Sequence, residues 1–255
     1  MVKIKFLATT KEVLSDFPHP EQSNKFVPTW YKNMPTLTNK EKYITYAGNV
    51  NGTVKTCVPF RDAMFAGYII PLPFDVFFKK NGKSLEINSS YCGEFQIVYN
   101  HEPEQFYMYP IPEEYQPIAF KWNNPWMVQT PKGWSTLFTT PIHHDLPFMN
   151  LDGIVDTDKH PLPVAITFFI RKDFEGIIPK GTPIAQCIPI KRDNFVGYIG
   201  QHTENLYHKW RKATTQAMDR YKDYFHTPKV YKMDNSESKC PFAKAFKKNL
   251  EKKYT

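Results

Sequence analysis

Proline is twice as frequent as glycine in this chain, and that ratio most constrains how its apolar segments can fold. The 255 residues include 22 prolines and 11 glycines, and 41% of them are hydrophobic, too many for a disordered chain. Proline fixes φ and removes a backbone donor, so it is rare inside helices and central strands. We therefore expect a mainly β fold of short strands joined by stiff turns.

Short apolar runs bounded by proline or glycine recur along the first 200 residues and predict strands. The sequence Lys-Asn-Gly-Lys at 80–83 lies between two such runs and predicts a tight β-hairpin. Because a chain of this length can form a single β domain, we expect one over residues 1–200. The predicted strands are 43–46, 67–70, 76–78, 95–99, 127–128, 136–139, 164–170 and 184–190.

The character of the sequence changes after Gly200. Apolar residues recur three and four positions apart between 206 and 225, which predicts an amphipathic helix that ends before Pro228. A shorter helix is predicted over 241–253. From Gly200 onward the sequence contains 13 Lys or Arg and 6 Asp or Glu, so most of the net charge of +8 belongs to the C-terminal end. We interpret 201–255 as a basic helical extension that could contact nucleic acid or simply solvate its outer face.

Several classes of protein are disfavoured by what the sequence lacks. No apolar run approaches the roughly 20 residues of a membrane span, and no secretion signal develops at the N-terminus. The four cysteines form no Cys-x-x-Cys pair, so we expect reduced thiols and a cytoplasmic protein. No phosphate-binding loop, dinucleotide fingerprint or nucleophile elbow is present, which disfavours kinases, dehydrogenases and covalent hydrolases.

The most specific segments are 152–158, Asp-Gly-Ile-Val-Asp-Thr-Asp, and 181–186, Gly-Thr-Pro-Ile-Ala-Gln. Gly153 permits a close turn, and we expect the two apolar residues after it to be buried in the core. One of the carboxylates of Asp156 and Asp158 is expected to face a pocket while the other caps a turn. Gln186 follows a turn and offers both a donor and an acceptor, so it is a third candidate.

The ordered pair of segments resembles the third and fourth signatures of the dUTPase and dCTP deaminase superfamily, Gly-Val/Ile-Ile/Val-Asp-Ser/Thr-Asp and Gly-x-x-Ile-Ala-Gln. The resemblance covers 131–192 and implies a β-clip, a distorted barrel, with its core over about 60–192, an N-terminal extension and a C-terminal amphipathic helix. It also implies a homo-oligomer, commonly a trimer, with Asp156, Asp158 and Gln186 lining a nucleotide or other small-ligand pocket. In a hydrolase, Asp156 would activate water, and Mg²⁺ would be the cofactor.

The other signatures of that superfamily depart from its pattern. Ile69 stands where the first motif has an acid, and residues 131–135, Pro-Lys-Gly-Trp-Ser, replace Pro-Arg-Ser. Lys132 and Ser135 remain as weaker phosphate-binding candidates, without the bidentate fork of an arginine. We therefore favour a ligand-binding or assembly module that needs no cofactor over a nucleotide pyrophosphohydrolase or deaminase-like enzyme.

The whole sequence is also similar to proteins of tailed bacteriophages, a likeness that implies a location in the host cytoplasm. Three segments carry it: Val-Pro-Thr-Trp-Tyr-Lys-Asn-Met-Pro at 27–35, Ala-Gly-Tyr-Ile-Ile-Pro-Leu-Pro at 66–73, and Phe-Glu-Gly-Ile-Ile-Pro-Lys-Gly-Thr-Pro at 174–183.

Two other groups of residues can be interpreted as functional sites, one as an iron site and one as a nucleic-acid-binding surface. His143, His144, Asp145 and His160 are residue types of an iron-oxygenase site, but adjacent residues on an extended strand face opposite sides unless a turn intervenes. We expect no metal there and keep His144 as a weaker ligand-binding candidate. Tryptophan and lysine between 121 and 134 could stack bases, although burial in the core or an interface is the more common role of Trp122, Trp126 and Trp134.

Overall fold

The computed structural model describes residues 2–38, 52–82, 84–91 and 93–217. The predicted strand at 43–46, the end of the long helix and the helix at 241–253 lie outside these ranges. The strands are β1 Lys5–Ala8, β2 Glu21–Gln22, β3 Tyr68–Pro71, β4 Val76–Asn81, β5 Ser84–Ser89, β6 Val98–Asn100, β7 Tyr115–Trp122, β8 Trp126–Gln129, β9 Trp134–Thr139, β10 Phe148–Asn150, β11 Gly153–Val155, β12 Ile166–Arg171, β13 Gly176–Ile178 and β14 Pro183–Lys191. The helices are α1 Lys11–Asp16, α2 Thr29–Asn33, α3 Val58–Phe65 and α4 Glu204–Ala217.

The described strands form four antiparallel sheets, so the prediction of a mainly β fold is confirmed. Their orders are β11-β9-β14-β3-β2, β10-β12-β7-β6, β13-β4-β5 and β1-β8. Within the described ranges none of the four sheets closes on itself into a barrel. No helix in that part of the chain combines the length and the apolar character needed to cross a bilayer.

The predicted hairpin is present. Strands β4 and β5 pair from Val76 opposite Ser89 to Asn81 opposite Ser84, so Gly82 follows directly after β4. Gly82 has φ +60°, a conformation that glycine adopts without steric cost. The turn therefore uses the glycine of the motif, while Asn81 remains in the strand.

Strand β7 is the main element that the apolar pattern did not predict. It lies between β12 and β6, and Pro117 interrupts its sequence. The register with β12 runs evenly from Trp122 to Ala119 and then shifts, so that Tyr115 lies opposite Arg171. An irregularity of this kind accommodates a proline that cannot donate to the ladder. A tertiary adjustment therefore overrides the local rule that proline ends a strand.

Aromatic rings from three adjacent strands fill the centre of the core. The ring of Trp122 on β7 stacks on Phe168 of β12 with centroids 4.0 Å apart and planes 11° apart, and Phe148 of β10 meets the indole edge-on at 5.2 Å. Trp122 and Trp126 are both buried, and Trp134 is half-buried. Trp122 and Trp126 are therefore core residues, and the base-stacking alternative is wrong for these two.

The last strand, β14, ends at Lys191, and the chain leaves the sheets as an irregular segment before α4. The Thr203 hydroxyl accepts a hydrogen bond from the Leu206 amide at 3.2 Å and caps the helix. Helix α4 covers Glu204–Ala217, and the rest of the segment predicted to be helical lies outside the described residues. Leu206, Tyr207 and Trp210 on its apolar face are exposed.

Replacing Trp122 with alanine should lower the free energy of unfolding by about 3 kcal/mol, the low end of the usual cost of truncating a buried large aromatic residue. The low end is expected because the Trp122 indole N–H is buried without a partner in the described residues, so its removal offsets part of the loss. Urea unfolding measures the difference. Tyr107→Ala, on an exposed aromatic residue, is the control and should unfold within about 0.5 kcal/mol of the wild type.

Candidate functional site

Two turns meet at one end of the β11-β9-β14 part of the sheet. Because β11 and β9 are antiparallel, with Val155 opposite Thr136, the end of β11 lies beside the start of β9. The turn before β9 is closed by a hydrogen bond from the Trp134 amide to the Pro131 carbonyl at 3.1 Å, and Gly133 in it has φ +85°. After β11, the amides of Lys159 and His160 both donate to the Asp156 carbonyl. The two predicted aspartates are thereby held against the turn 131–134.

Arg192 joins these turns into a compact network, which we call the Asp-Arg cluster: Gly133, Ser135, Asp156, Asp158 and Arg192. The Arg192 guanidinium lies 2.9 Å from Asp156 Oδ1, and its other terminal nitrogen donates to Asp158 Oδ2. Ser135 Oγ donates to Asp156 Oδ1 at 2.8 Å, and the Gly133 amide donates to Asp158 Oδ2 at 2.8 Å. The cluster thus contains three of the predicted site residues, Ser135, Asp156 and Asp158.

The two carboxylates differ in exposure. The side chain of Asp158 is 3% exposed and caps the turn through Gly133, whereas that of Asp156 is 45% exposed. The Arg192 hydrogen bond lowers the pKa of Asp158 to about 2, and the Gly133 amide adds to this effect. The Ser135 hydroxyl is the largest cause that lowers the pKa of Asp156, followed by Arg192 and Lys159. Both groups are therefore anionic at neutral pH.

Other predicted residues lie at or near this cluster in different ways. Lys132 lies on the turn 131–134 with an exposed side chain. The ammonium of Lys159 is 3.7 Å from Asp156 Oδ2. Ile154, expected in the core, is 66% exposed because β11 is an edge strand and this residue faces solvent. That part of the prediction is wrong.

Gln186 does not share a pocket with Asp156, so this prediction is also wrong. Its side chain is fully buried, and its amide donates to the Ala66 carbonyl at 2.6 Å and the Ala63 carbonyl at 3.0 Å. Its carbonyl oxygen accepts a hydrogen bond from the Ile142 amide at 2.8 Å. Gln186 lies opposite Thr139, four residues along β9 from Ser135, which is about 13 Å at the usual strand rise. Its side-chain amide group therefore joins the C-terminal end of α3 and the loop that contains Ile142 to the sheet.

His144 lies apart from the cluster, in a cavity of about 730 Å³ that we call the His144 cavity. A turn closed by the His144 amide and the Pro141 carbonyl brings both His144 and Asp145 to its wall. Burial lowers the pKa of His144 to about 4, so the imidazole is neutral at physiological pH. The cavity is lined by Glu114, Tyr115, Thr140, His144, Asp145, Leu146, Phe148, Met149, Arg171, Lys172 and Asp173.

The other two histidines of the metal alternative lie elsewhere. The ring of His143 stacks on Phe60 with centroids 3.5 Å apart, and the His160 amide binds the Asp156 carbonyl. Among the residues that the structure describes, no three His, Cys, Asp or Glu side chains are grouped closely enough to hold a metal ion.

A second cavity of about 430 Å³ adjoins the first, and we call it the β13 groove. The two share Asp145, Leu146, Arg171 and Asp173. Arg171 donates to both oxygens of Asp173, at 3.0 and 2.7 Å, and this pairing lowers the pKa of the Asp173 carboxyl. From the shared wall, the groove continues past Phe174 to Ile177, Pro179 and Thr182.

Arg192 is the member of the Asp-Arg cluster with a charged side chain that sequence reasoning missed. The sequence feature that could have identified Arg192 is its position directly after the predicted strand 184–190. In the structure, Lys191 lies opposite Trp134, so the residue after β14 reaches the turn before β9. That inference requires the pairing of β14 with β9, which the resemblance did not specify.

Comparisons with known proteins add no assignment, since no family model, curated protein or solved structure matches this chain. The resemblance to the dUTPase superfamily and to phage proteins therefore stays a prediction.

Gln186→Leu should destabilise the protein by about 2 kcal/mol, because it leaves the Ile142 amide without its partner and removes the hydrogen bonds to the Ala63 and Ala66 carbonyls, at roughly 1–3 kcal/mol for an unsatisfied group. Urea unfolding checks this value. Gln129→Leu, at an exposed position on β8, provides the same chemical change without buried partners and should alter stability little. Equal effects of the two substitutions would contradict the role given to Gln186.

The stability of the wild type should fall as the pH drops from about 4 to about 2. The pKa of Asp158 is lowered from an ordinary 3.8 to about 2, so its contribution is present above the unfolded-state pKa and lost as the folded carboxylate is protonated. Urea midpoints measured across this range should decline more steeply for the wild type than for Asp158→Asn. Parallel curves for the two proteins would refute the ion-pair interpretation.

Proposed function

We propose that this protein is a non-catalytic binding and assembly module with a β-clip-type core, encoded by a tailed bacteriophage and acting in the host cytoplasm. The observation that carries the proposal is the commitment of both signature carboxylates to Arg192. The signature residues then hold the turns together and are not available for chemistry.

The state of Asp156 favours binding over hydrolysis. A general base works best when its pKa lies near the operating pH, and a carboxylate whose pKa is lowered by a hydroxyl and an arginine is a weaker base. Its Oδ1 is already bonded to Ser135 and faces Arg192, and Lys159 faces its Oδ2. A water molecule would have to compete with these cations for the carboxylate.

The His144 cavity is the place where we expect a small ligand. Its volume lies within the roughly 300–1,000 Å³ that is usual for small-molecule sites. Leu146, Phe148 and Met149 supply an apolar wall. Within the described ranges, the His144 imidazole and the Tyr115 hydroxyl have no hydrogen-bond partner, so both can bind a ligand. Because Arg171 is paired with Asp173, we expect a neutral or zwitterionic polar ligand there, and not a strongly anionic one.

Purified protein incubated with each deoxynucleoside triphosphate and Mg²⁺ should release no pyrophosphate, because Ser135 and Arg192 engage the Asp156 carboxylate and make it a weak base. A colorimetric pyrophosphate assay checks this. Turnover that disappears in Asp156→Asn would instead identify the protein as a nucleotide hydrolase and overturn the proposal.

A thermal-shift screen against nucleosides, nucleotides, amino acids and sugars should identify a stabilising ligand, since a ligand at 100 times its dissociation constant adds about 2.7 kcal/mol. His144→Gln should abolish the shift, whereas the matched Asp156→Asn should retain it. The opposite result, a shift lost in Asp156→Asn and retained in His144→Gln, would indicate that the ligand binds at the Asp-Arg cluster. A screen that gives no shift with any compound would count against a small-ligand site.

A further inference from the structure

The segment that follows β14 exposes large apolar side chains next to one another. We call residues 193–203 the arm. Four of its side chains are almost fully exposed: Phe195 87%, Val196 89%, Tyr198 90% and Ile199 102%. A group of this kind marks an interaction surface, because water solvates exposed apolar area unfavourably and a partner removes that area from water.

Helix α4 continues this apolar surface along one of its sides. Leu206 is 58% exposed and Trp210 is 61% exposed, and the two lie on the same side of the helix because they are four residues apart. An α-helix turns about 100° per residue, so every acidic or basic side chain between 204 and 212 lies roughly 100° or more around the axis from Trp210. These residues are Glu204, His208, Lys209, Arg211 and Lys212, all of them exposed.

The separation of the two sides of α4 fits the surface of an anionic lipid bilayer. A peripheral helix lies in the plane of that surface, with its apolar side toward the acyl chains and its Lys or Arg side chains toward the headgroups. Tyr and Trp are enriched at this depth because their rings are apolar while their O–H or N–H groups stay in contact with water. The exposed rings here are Tyr198, Tyr207 and Trp210, and the cations on the polar side are Lys209, Arg211 and Lys212.

A single-stranded nucleic acid fits the same surface less well. Such a site combines a basic groove along the backbone with rings on which the bases stack, so its cations and its rings lie side by side. On α4 the cations and Trp210 lie on different sides of the helix. The aliphatic side chains of Val196, Ile199 and Leu206 also provide no ring for a base, whereas they leave water when they insert between lipids.

The distribution of charge along the chain acts in the same direction. From Gly200 onward, 13 Lys or Arg and 6 Asp or Glu give a net charge of +7, whereas 20 and 19 in the first 199 residues give +1. A cytoplasmic leaflet is anionic and attracts basic segments within a Debye length, roughly 10 Å at 0.1 M salt. Binding of this kind lies on the surface and needs no segment that crosses the bilayer. The part of the chain that exposes the apolar side chains therefore begins the part that an anionic membrane attracts.

We propose that the arm and α4 form a peripheral membrane-binding surface for anionic lipid. The apolar side chains of the arm, with Leu206 and Trp210, enter the boundary between headgroups and acyl chains, and the basic side of α4 lies among the lipid phosphates. This surface is a different part of the chain from the His144 cavity, so the proposal does not depend on the identity of a ligand or on the absence of catalysis.

Co-sedimentation of the full chain with vesicles tests the proposal. Vesicles that mix phosphatidylglycerol with phosphatidylcholine should bind the wild type at least tenfold more tightly than vesicles of phosphatidylcholine alone. Raising the salt concentration from about 0.1 M to about 1 M should weaken this binding, because the Debye length falls from about 10 Å to about 3 Å.

Tyr198→Asp should weaken binding to the mixed vesicles at least tenfold, because it places a carboxylate on the side of the surface that enters the lipid. Tyr107→Asp is the matched control, since Tyr107 is 83% exposed and Tyr198 is 90% exposed. The two substitutions change the net charge of the protein equally. Tyr107→Asp should therefore bind like the wild type, and equal losses in the two variants would reduce the effect to net charge and contradict the proposal.

Tryptophan fluorescence measures where α4 lies in the complex. Trp210 is the most exposed of the five tryptophans, so its emission should shift to shorter wavelength when the mixed vesicles are added. Trp210→Phe keeps an aromatic ring at this position and should still sediment with the vesicles, but the wavelength shift should disappear. A shift that remains in Trp210→Phe would place the contact elsewhere and overturn the assignment to α4.

Far-ultraviolet circular dichroism establishes that each variant retains the wild-type fold. If Tyr198→Asp unfolds the protein, Ile199→Ser provides the same test with a smaller perturbation. A wild type that does not bind the mixed vesicles at low salt would overturn the proposal, and so would binding that persists in Tyr198→Asp. A protein that retards a single-stranded oligonucleotide on a gel but does not bind the vesicles would assign the surface to nucleic acid instead.

Discussion

The guanidinium of Arg192 is the interaction on which the arrangement of this end of the molecule depends. It contacts the carboxylates of Asp156 and Asp158 and the carbonyl of Trp134, and so joins the ends of β14, β11 and the turn before β9. The Asp158 carboxylate, only 3% exposed, would be costly to leave without a partner, since a buried charge needs both an opposite charge and hydrogen bonds. One arginine side chain therefore holds together three segments that are distant from one another in the sequence.

This closure separates the signature residues from the open spaces of the molecule. In the Asp-Arg cluster, Ser135 and Arg192 engage Asp156 Oδ1, and Gly133 and Arg192 engage Asp158 Oδ2. Asp158 Oδ1 is buried without a partner among the described residues. The His144 cavity and the β13 groove lie at the other end of β14, around the separate Arg171–Asp173 pair. We therefore propose that the segments resembling an enzyme superfamily act here as a structural device, and that binding occurs at the His144 cavity.

The accuracy of the sequence-based predictions follows the range of the interactions involved. The hairpin of β4 and β5 was predictable because its turn depends on adjacent residues. Strand β7 was not, because its proline is accommodated by a register shift against β12. Ile154 was placed in the core from its apolar character, but the position of β11 at the edge of its sheet exposes it. Whether a strand lies at the edge or in the centre of a sheet depends on the order of the strands, which the sequence of that strand does not specify.

By itself the sequence determined that the fold is mainly β and that its strands are short. These features follow from residue type and spacing within a few positions, where sterics and periodic burial act. Only the tertiary structure decided that Asp158 meets an arginine 34 residues away and that Gln186 is a buried cross-link about four strand positions from the cluster. Those outcomes depend on strand order and register, which arise from the packing of the whole chain and leave no local pattern.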